Sequence, residues 1–381
     1  MDIPIFHWTL VGALNILGFW PNNPNPVPQL LLCSTLVIIC PFQLQDIYKN
    51  FENVPLLMDV FRDFSTFLLL ILKFLIMWYN RRYVNLLIEE ISEDWKKLKL
   101  SKNEEIMEKY VKYANLFCIL DSILYLLAAL FYYPETLFSY FNKSVEARKL
   151  VLDVTYPFNY RLTPFFEIIT IIQTVLIFLM VSADALSEIF LGTIVFHICG
   201  LIEILMKNIN GISSIACYSL KNNQHFLCLI KNIVNEHKKL INMLNKLETI
   251  YTYVSLIQFF SSTMVICFTG FIIMNSNGTN DIIMMLKFIM FIILMLWQAF
   301  AFCFAGEFLI TKSADISQRI YSCSWYKLKP KDIKLLLLVM KRTHQPLQLT
   351  VGKFAALSIG SFANILKTSV SYLSVLRTTL V

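Results

Sequence analysis

Residues 331–381 read KDIKLLLLVMKRTHQPLQLTVGKFAALSIGSFANILKTSVSYLSVLRTTLV. Pro346 and Gly352 divide the stretch into two apolar blocks. Asp332–Arg342 predicts a short helix bracketed by Lys331, Lys334, Lys341 and Arg342. Phe354–Leu376 is long enough to span a bilayer, since about 20 helical residues cross the hydrocarbon core. Within it Ser361, Asn364, Thr368, Ser371, Ser374 or Val375, and Thr378 recur every three or four residues and so share a helix face. Polar groups inside a membrane are costly unless they face protein or water. That face either packs on a neighbour, its hydroxyls bonding across or back to the helix, or lines an aqueous path.

The rest of the chain has the same character. Of 381 residues, 57% are apolar and 15% charged, with a mean hydropathy of +0.60. Soluble domains lie nearer about 45–50% apolar and about 25% charged. The expectation is an all-α membrane protein forming one unit over 1–381, with seven transmembrane helices near 30–48, 60–79, 113–133, 164–183, 252–274, 283–310 and 354–376. Runs after the fourth span and before the fifth keep helical apolar spacing among Lys, Asn and Glu (Leu229, Ile233, Leu240, Leu244, Leu247). Helical extensions beyond the membrane are therefore expected over 184–252 and 311–353. Ile5–Trp20 predicts a short helix at the interface, with Trp8 and Trp20 as belt residues. Pro24, Pro26 and Pro28 then stop any helix.

Orientation follows from the basic residues. Of the 33 Lys and Arg, 23 fall on the side shared by residues 1–29 and the second, fourth and sixth connections, and 7 on the other. The rich side is read as cytosolic, which puts the amino terminus inside and the carboxyl terminus outside. Two glycosylation sequons, at Asn142 and Asn277, both fall on the poor side, as N-linked glycans require. This topology is opposite to that of a G-protein-coupled receptor, and the Asp-Arg-Tyr and Asn-Pro-x-x-Tyr motifs of that class are absent. The net charge of +7 comes from basic residues interspersed with acids, which gives no nucleic-acid footprint. The cysteines lie in apolar segments or on the side read as cytosolic, so a disulfide framework is not expected. No phosphate-binding loop, His-Glu-x-x-His or Gly-x-Ser-x-Gly appears, so neither enzyme chemistry nor a cofactor or metal is expected.

Lys73, Asp121, Glu167 and Lys287 lie in or near spans, and Lys367 is mid-span in the seventh. Lys73, Glu167 and Lys287 sit near span ends and read as snorkelling; Asp121 lies deeper and is the stronger functional candidate. Arg62 counts with the outer connections, and Glu89-Glu90 and Glu104-Glu105 read as solvated faces of a charged loop. Aromatics concentrate in the outer halves of several spans. Singly these are bundle core or lipid-facing residues, but as a group they suit a pocket for small apolar ligands. The candidate ligand residues are Phe64, Phe67, Leu68, Tyr125, Ala128, Ile169, Gln173, Phe288 and Phe291.

The tail carries more than periodicity. Pro346-Leu347, Leu349-Thr350-Val351-Gly352-Lys353-Phe354, Ile365-Leu366-Lys367-Thr368-Ser369 and Ser371-Tyr372 resemble the C-terminus of insect odorant receptors. Leu17-Gly18-Phe19-Trp20-Pro21, His237-Lys238-Lys239 with Gln258-Phe259, and Gly306-Glu307 with Ser313, Tyr321 and Trp325 resemble other parts of the same family. The resemblance implies a split seventh helix whose second piece, 354–376, lines a pore. It implies a ligand-gated, non-selective cation channel in the plasma membrane of a sensory dendrite, assembled with a co-receptor as a heterotetramer. Tyr372, Val375 and Thr379 correspond to the place where the family's pore narrows. Thr379 departs from the apolar residue expected there in the co-receptor. A gustatory receptor of the same fold remains an alternative, although Ser371-Tyr372 followed by Leu373–Arg377 fits the odorant branch better. A G-protein-coupled receptor or a transporter is a more distant one.

Overall fold

A computed structural model describes residues 3–380 except 22–25, 50, 52–53, 100–102, 132, 143–147, 153, 155, 157, 219–222, 276–281, 324 and 328. Helices α1 (Trp8–Ile16), α2 (Val27–Lys49), α3 (Val54–Tyr79), α4 (Arg81–Leu98), α5 (Glu104–Leu130) and α6 (Tyr133–Asn142) make up the first half. Three long helices follow: α7 (Phe165–Tyr218), α8 (Asn223–Asn275) and α9 (Ile282–Ser322). A 3-10 turn (Trp325–Lys327) leads to α10 (Pro330–Thr343), a hairpin of β1 (Thr350–Val351) and β2 (Ala355–Ala356), and α11 (Ile359–Leu380).

Helix length explains the architecture. At 1.5 Å per residue, α7 and α8 are each roughly 80 Å long and α9 roughly 60 Å, against a hydrocarbon core of about 30 Å. Each is long enough to cross the bilayer and continue well beyond it. In the extension of α8, Ile233, Leu240, Leu244 and Leu247 are buried in the main core. α7 is buried almost all round from Ala183 to Gly200, the mark of a central helix. α5, α8 and α9 pack around it, and α3 lies along α8.

By length and apolarity alone, α5 and the stretches 165–211, 227–274 and 285–322 can cross a membrane. The other expected spans, α2, α3 and α11, are not among these stretches of the described residues. α3 carries Asp59, Arg62, Asp63 and Lys73, and α11 is rich in Ser and Thr. Of these charges, Lys73 is met by other helices, by Asp184 of α7 and Gln258 of α8.

Several local expectations are corrected. Pro28 does not stop a helix; it lies in the first turn of α2, where its missing N–H costs nothing. Trp8 is exposed, but Trp20 is buried against Phe6 in the core beneath α1 rather than sitting in an interfacial belt. The charged loop after the second span is a helix: α4 buries Val84, Leu87, Ile88, Ile91 and Trp95 along one face. Its Glu90 pairs with Lys246 of α8, and its buried Asp94 pairs with Lys239 and lies 3.4 Å from His197. Burial pushes the Asp94 carboxyl up, but hydrogen bonds from His197 and Lys239 outweigh it and hold the group below its usual range. Glu104 and Glu105 occupy the first turn of α5, where the helix dipole favours them.

The last span also begins later than its apolarity implied. Residues 350–356 turn back on themselves: Gly352 and Lys353 both have positive φ, and the Phe354 N–H donates to the Val351 carbonyl at 2.9 Å. Two consecutive left-handed residues define a tight hairpin turn, so α11 starts at Ile359 rather than Phe354 and runs to Leu380.

Candidate ligand cavity and pore helix

α3, α5, α7 and α9 converge on a cavity of about 100 Å³. Phe67 and Leu70 of α3, Ala128 of α5, Met180 of α7, and Phe291, Leu294 and Met295 of α9 form apolar walls. One further wall comes from outside the spans. In the segment joining α6 to α7, Val151, Leu152 and Val154 are buried, and Leu152 reaches the cavity. Gln173 holds that segment in place. Its Oε1 accepts from the Leu152 N–H at 3.1 Å, and its Nε2 donates to the Leu152 carbonyl at 3.2 Å.

The floor is polar and fully buried. Lys73 is 4% exposed; its Nζ is ion-paired with Asp184 and donates to Gln258 Oε1 at 2.6 Å. Gln258 Nε2 donates to Gln298 Oε1 at 2.9 Å. Gln298 Nε2 in turn donates to Asp184 Oδ2 at 2.7 Å and to the Tyr125 hydroxyl at 2.6 Å. The Tyr125 hydroxyl donates to Glu188 at 2.9 Å. Asp121 lies beside this network and accepts from the Trp297 indole at 2.9 Å. Five helices are thus tied together directly beneath the apolar cavity.

Four sequence candidates, Phe67, Tyr125, Ala128 and Phe291, face this cavity. The other five do not line it. Gln173 is occupied by Leu152, Phe64 packs on Phe61, and Phe288 lies under the Arg62 guanidinium at 4.9 Å. Ile169 and Leu68 are half-buried elsewhere on their helices. Arg62 itself is 2% exposed and paired with Asp59 and Asp63, so it belongs to the bundle rather than to a connection. Lys73 does not snorkel either, because its charge is neutralised in place. Glu167 accepts from the Tyr140 hydroxyl at 3.3 Å. Leu152, Asp184 and Gln298 were not anticipated. The apolar run Leu150-Val151-Leu152 within a polar connection was the one available signal for the first.

The hairpin fastens α11 to the bundle. The Gly352 N–H donates to the Thr252 carbonyl of α8 at 2.8 Å, and the Thr350 hydroxyl donates to Glu248 at 2.7 Å. Glu307 of α9 accepts from the Ile359 N–H at 3.1 Å, satisfying one open donor at the start of α11. Along α11 the hydroxyls of Thr368, Ser374 and Thr378 bond back to backbone carbonyls of their own helix and remain exposed. Tyr372 and Val375 are 53% and 54% exposed. With Thr368 and Leu376 they border a groove against Phe260, Met264 and Phe268 of α8. Thr379 lies in the last turn of α11; its side chain, like that of Asn142 at the end of α6, is outside the described residues. Asn277 also lies outside them.

The model of the family described as 7tm odorant receptor matches residues 53–370. Odorant receptor 13a of Drosophila melanogaster is 31% identical over 49% of this chain and 47% of its own length. Odorant receptor Or2 of Anopheles gambiae is 24% identical over 94% of both chains. The match thus spans about half the length of several curated relatives and nearly all of others. In three dimensions the chain superimposes on the olfactory receptor OR5 of Machilis hrabei in complex with eugenol, with a TM-score of 0.81, 16% identity and 97% of each chain covered. The family expected from the tail is the one whose model matches most of the chain, and the long helices, split last helix and buried polar floor are how this member builds its fold: the chain belongs to the insect odorant receptor family.

Proposed function

We propose that this receptor is the ligand-binding subunit of a ligand-gated, non-selective cation channel in the plasma membrane, and that its ligand is a small volatile molecule held in the cavity between α3, α5, α7 and α9. The observation that carries the reading is the cavity itself. It is apolar on its walls, closed over by Leu152, and bounded by α9, whose Glu307 holds the start of α11. An engineered apolar cavity of about 150 Å³ takes up benzene, so a space of this order, flanked by the adaptable side chains of Met180 and Met295, suits a molecule of similar size. Burying about 200 Å² of apolar ligand surface is worth about 5 kcal/mol before ordering costs. Ligand shape therefore dominates affinity. The test is a panel of small odorants, eugenol included, on cells expressing the chain with and without the co-receptor. Ala128→Phe should reduce the response to the larger active ligands at least about tenfold while surface labelling stays the same. An unchanged rank order would place the ligand elsewhere.

The same reading assigns the rest of the chain. The partner is the co-receptor in a heterotetramer. The exposed Leu335, Leu337 and Leu338 of α10 support subunit contact at the basic end of the bundle. The topology is inverted, with that end cytosolic. An epitope tag on the amino terminus should stain only permeabilised cells, and a tag after Val381 intact ones; the opposite pattern would reject the orientation. α11 frames the pore, with Val375 as the apolar member of a constriction that closes by dewetting. Val375→Ser should raise leak current or change ion selectivity in channels of normal surface density. Unchanged permeation would make Val375 a packing residue only.

A further inference from the structure

Among the described residues, every polar side chain that lines the cavity has its donors already committed. These are Asp63, Thr66, Tyr125, Asp184 and Gln298. The Thr66 hydroxyl donates to the Arg62 carbonyl at 2.8 Å and the Tyr125 hydroxyl to Glu188. Both Nε2 hydrogens of Gln298 are used, one on Asp184 and one on Tyr125. The amide orientations are fixed by charge. Lys73 can only donate, so Gln258 must turn its oxygen to it and its NH2 toward Gln298. Asp184 as a carboxylate can only accept, so Gln298 must turn its NH2 to Asp184. What the described residues leave open to a ligand is acceptor capacity: lone pairs on Asp63, Asp184, Thr66 and the Tyr125 oxygen.

Asp184 is paired with Lys73, and Asp63 shares Arg62 with Asp59. A cationic ligand would lose its hydration in an apolar space, and the carboxylates it would meet already accept from Arg62 and Lys73. A carbonyl or ether oxygen would lie against lone pairs with nothing to accept from. Resting on the reading that this cavity holds the ligand, we infer that the receptor selects small, mostly apolar molecules bearing one neutral hydrogen-bond donor, namely alcohols or phenols, over the ketones, esters and ethers of the same skeleton.

Matched ligand series test this on the unaltered chain expressed with the co-receptor. On each of several skeletons the alcohol or phenol, its methyl ether, the acetate ester, the ketone where one exists and the primary amine are compared for half-maximal current. A hydrogen bond to a charged acceptor predicts an advantage of about tenfold or more for the hydroxyl compound over its ether. Ethers, ketones or esters equal to the alcohols would overturn the inference while leaving the receptor reading intact, since currents would still be evoked. Amines ahead of alcohols would overturn the choice of a neutral donor. No current from any skeleton, in cells that display the chain, would overturn both. The double variant Lys73→Gln with Asp184→Asn keeps the floor hydrogen-bonded but replaces the carboxylate. It should shrink the alcohol-to-ether ratio to about twofold, and an unchanged ratio at normal surface density would reject the floor as its source.

Discussion

Lys73→Met should remove most of the receptor from the cell surface. Lys73 is almost fully buried, and the charge it neutralises, Asp184, is 6% exposed. Taking away one member of a buried ion pair leaves the other uncompensated, at a cost of about 3–5 kcal/mol. Here the damage spreads, because Lys73 also orients Gln258, and Gln258 orients Gln298 against Asp184 and Tyr125. Replacing both charges by apolar side chains of similar volume is often close to neutral. Lys73→Met combined with Asp184→Leu should therefore recover much of the surface level lost by the single change, although Gln258 and Gln298 each still lack a partner. Surface labelling and thermal unfolding of the purified complex read both variants. If single and double variants are equally impaired, the pair is not what holds α3 to α7.

The same residues show where reading the sequence stopped. The seven-helix bundle was legible because composition and 3.6-residue periodicity are local properties. So were the extensions of α7 and α8, whose apolar stripes continue through charged segments. Lys73 and Arg62 were misread because the meaning of a charge depends on what faces it. The partner of Lys73 lies 111 residues away, and nothing local to position 73 distinguishes a snorkelling lysine from a paired one. Depth was the second difficulty. The fourth span, expected over 164–183, has its candidate ligand residues, Ile169 and Gln173, in its outer half. α7 in fact runs unbroken to Tyr218, and its cavity-facing residues, Ile177, Met180 and Asp184, lie about two turns deeper. On α5, Tyr125 and Ala128, three residues apart, share one face and both line the cavity. The start of α11 was missed for a different reason: an apolar run says nothing about φ, and Gly352-Lys353 turns the chain before the helix begins.

Gly306→Ala should leave ligand binding nearly intact and disable gating. Gly306 lies on α9 where β2 gives way to α11. A Cβ there would collide with the Leu357 carbonyl oxygen and stand 2.5 Å from the Leu357 Cβ. Neither is the movable end of a side chain, so the backbone itself must shift. Leu357 is fully buried, and its N–H donates to the Leu349 carbonyl at 2.8 Å, so the shift pulls on the hairpin that α8 holds through Thr252 and Glu248. It also moves Ile359 away from Glu307, the next residue on α9. Overpacking of this kind costs about 1–3 kcal/mol, enough to thin the surface population without emptying it. The cavity residues of α9, Phe291 to Gln298, lie two or more turns away and keep their positions. Ligand can open the channel only through contacts that differ between closed and open states, and the junction at Gly306 is where α9 meets α11, the helix proposed to line the pore. Ligand-evoked current per surface receptor should fall at least about tenfold, with the half-maximal ligand concentration for protection against thermal unfolding unchanged. Gly12→Ala is the control, since a Cβ at Gly12 meets nothing within 4 Å; it should leave current and stability as they are. Normal current per receptor in Gly306→Ala would show that α9 and α11 move independently at this junction.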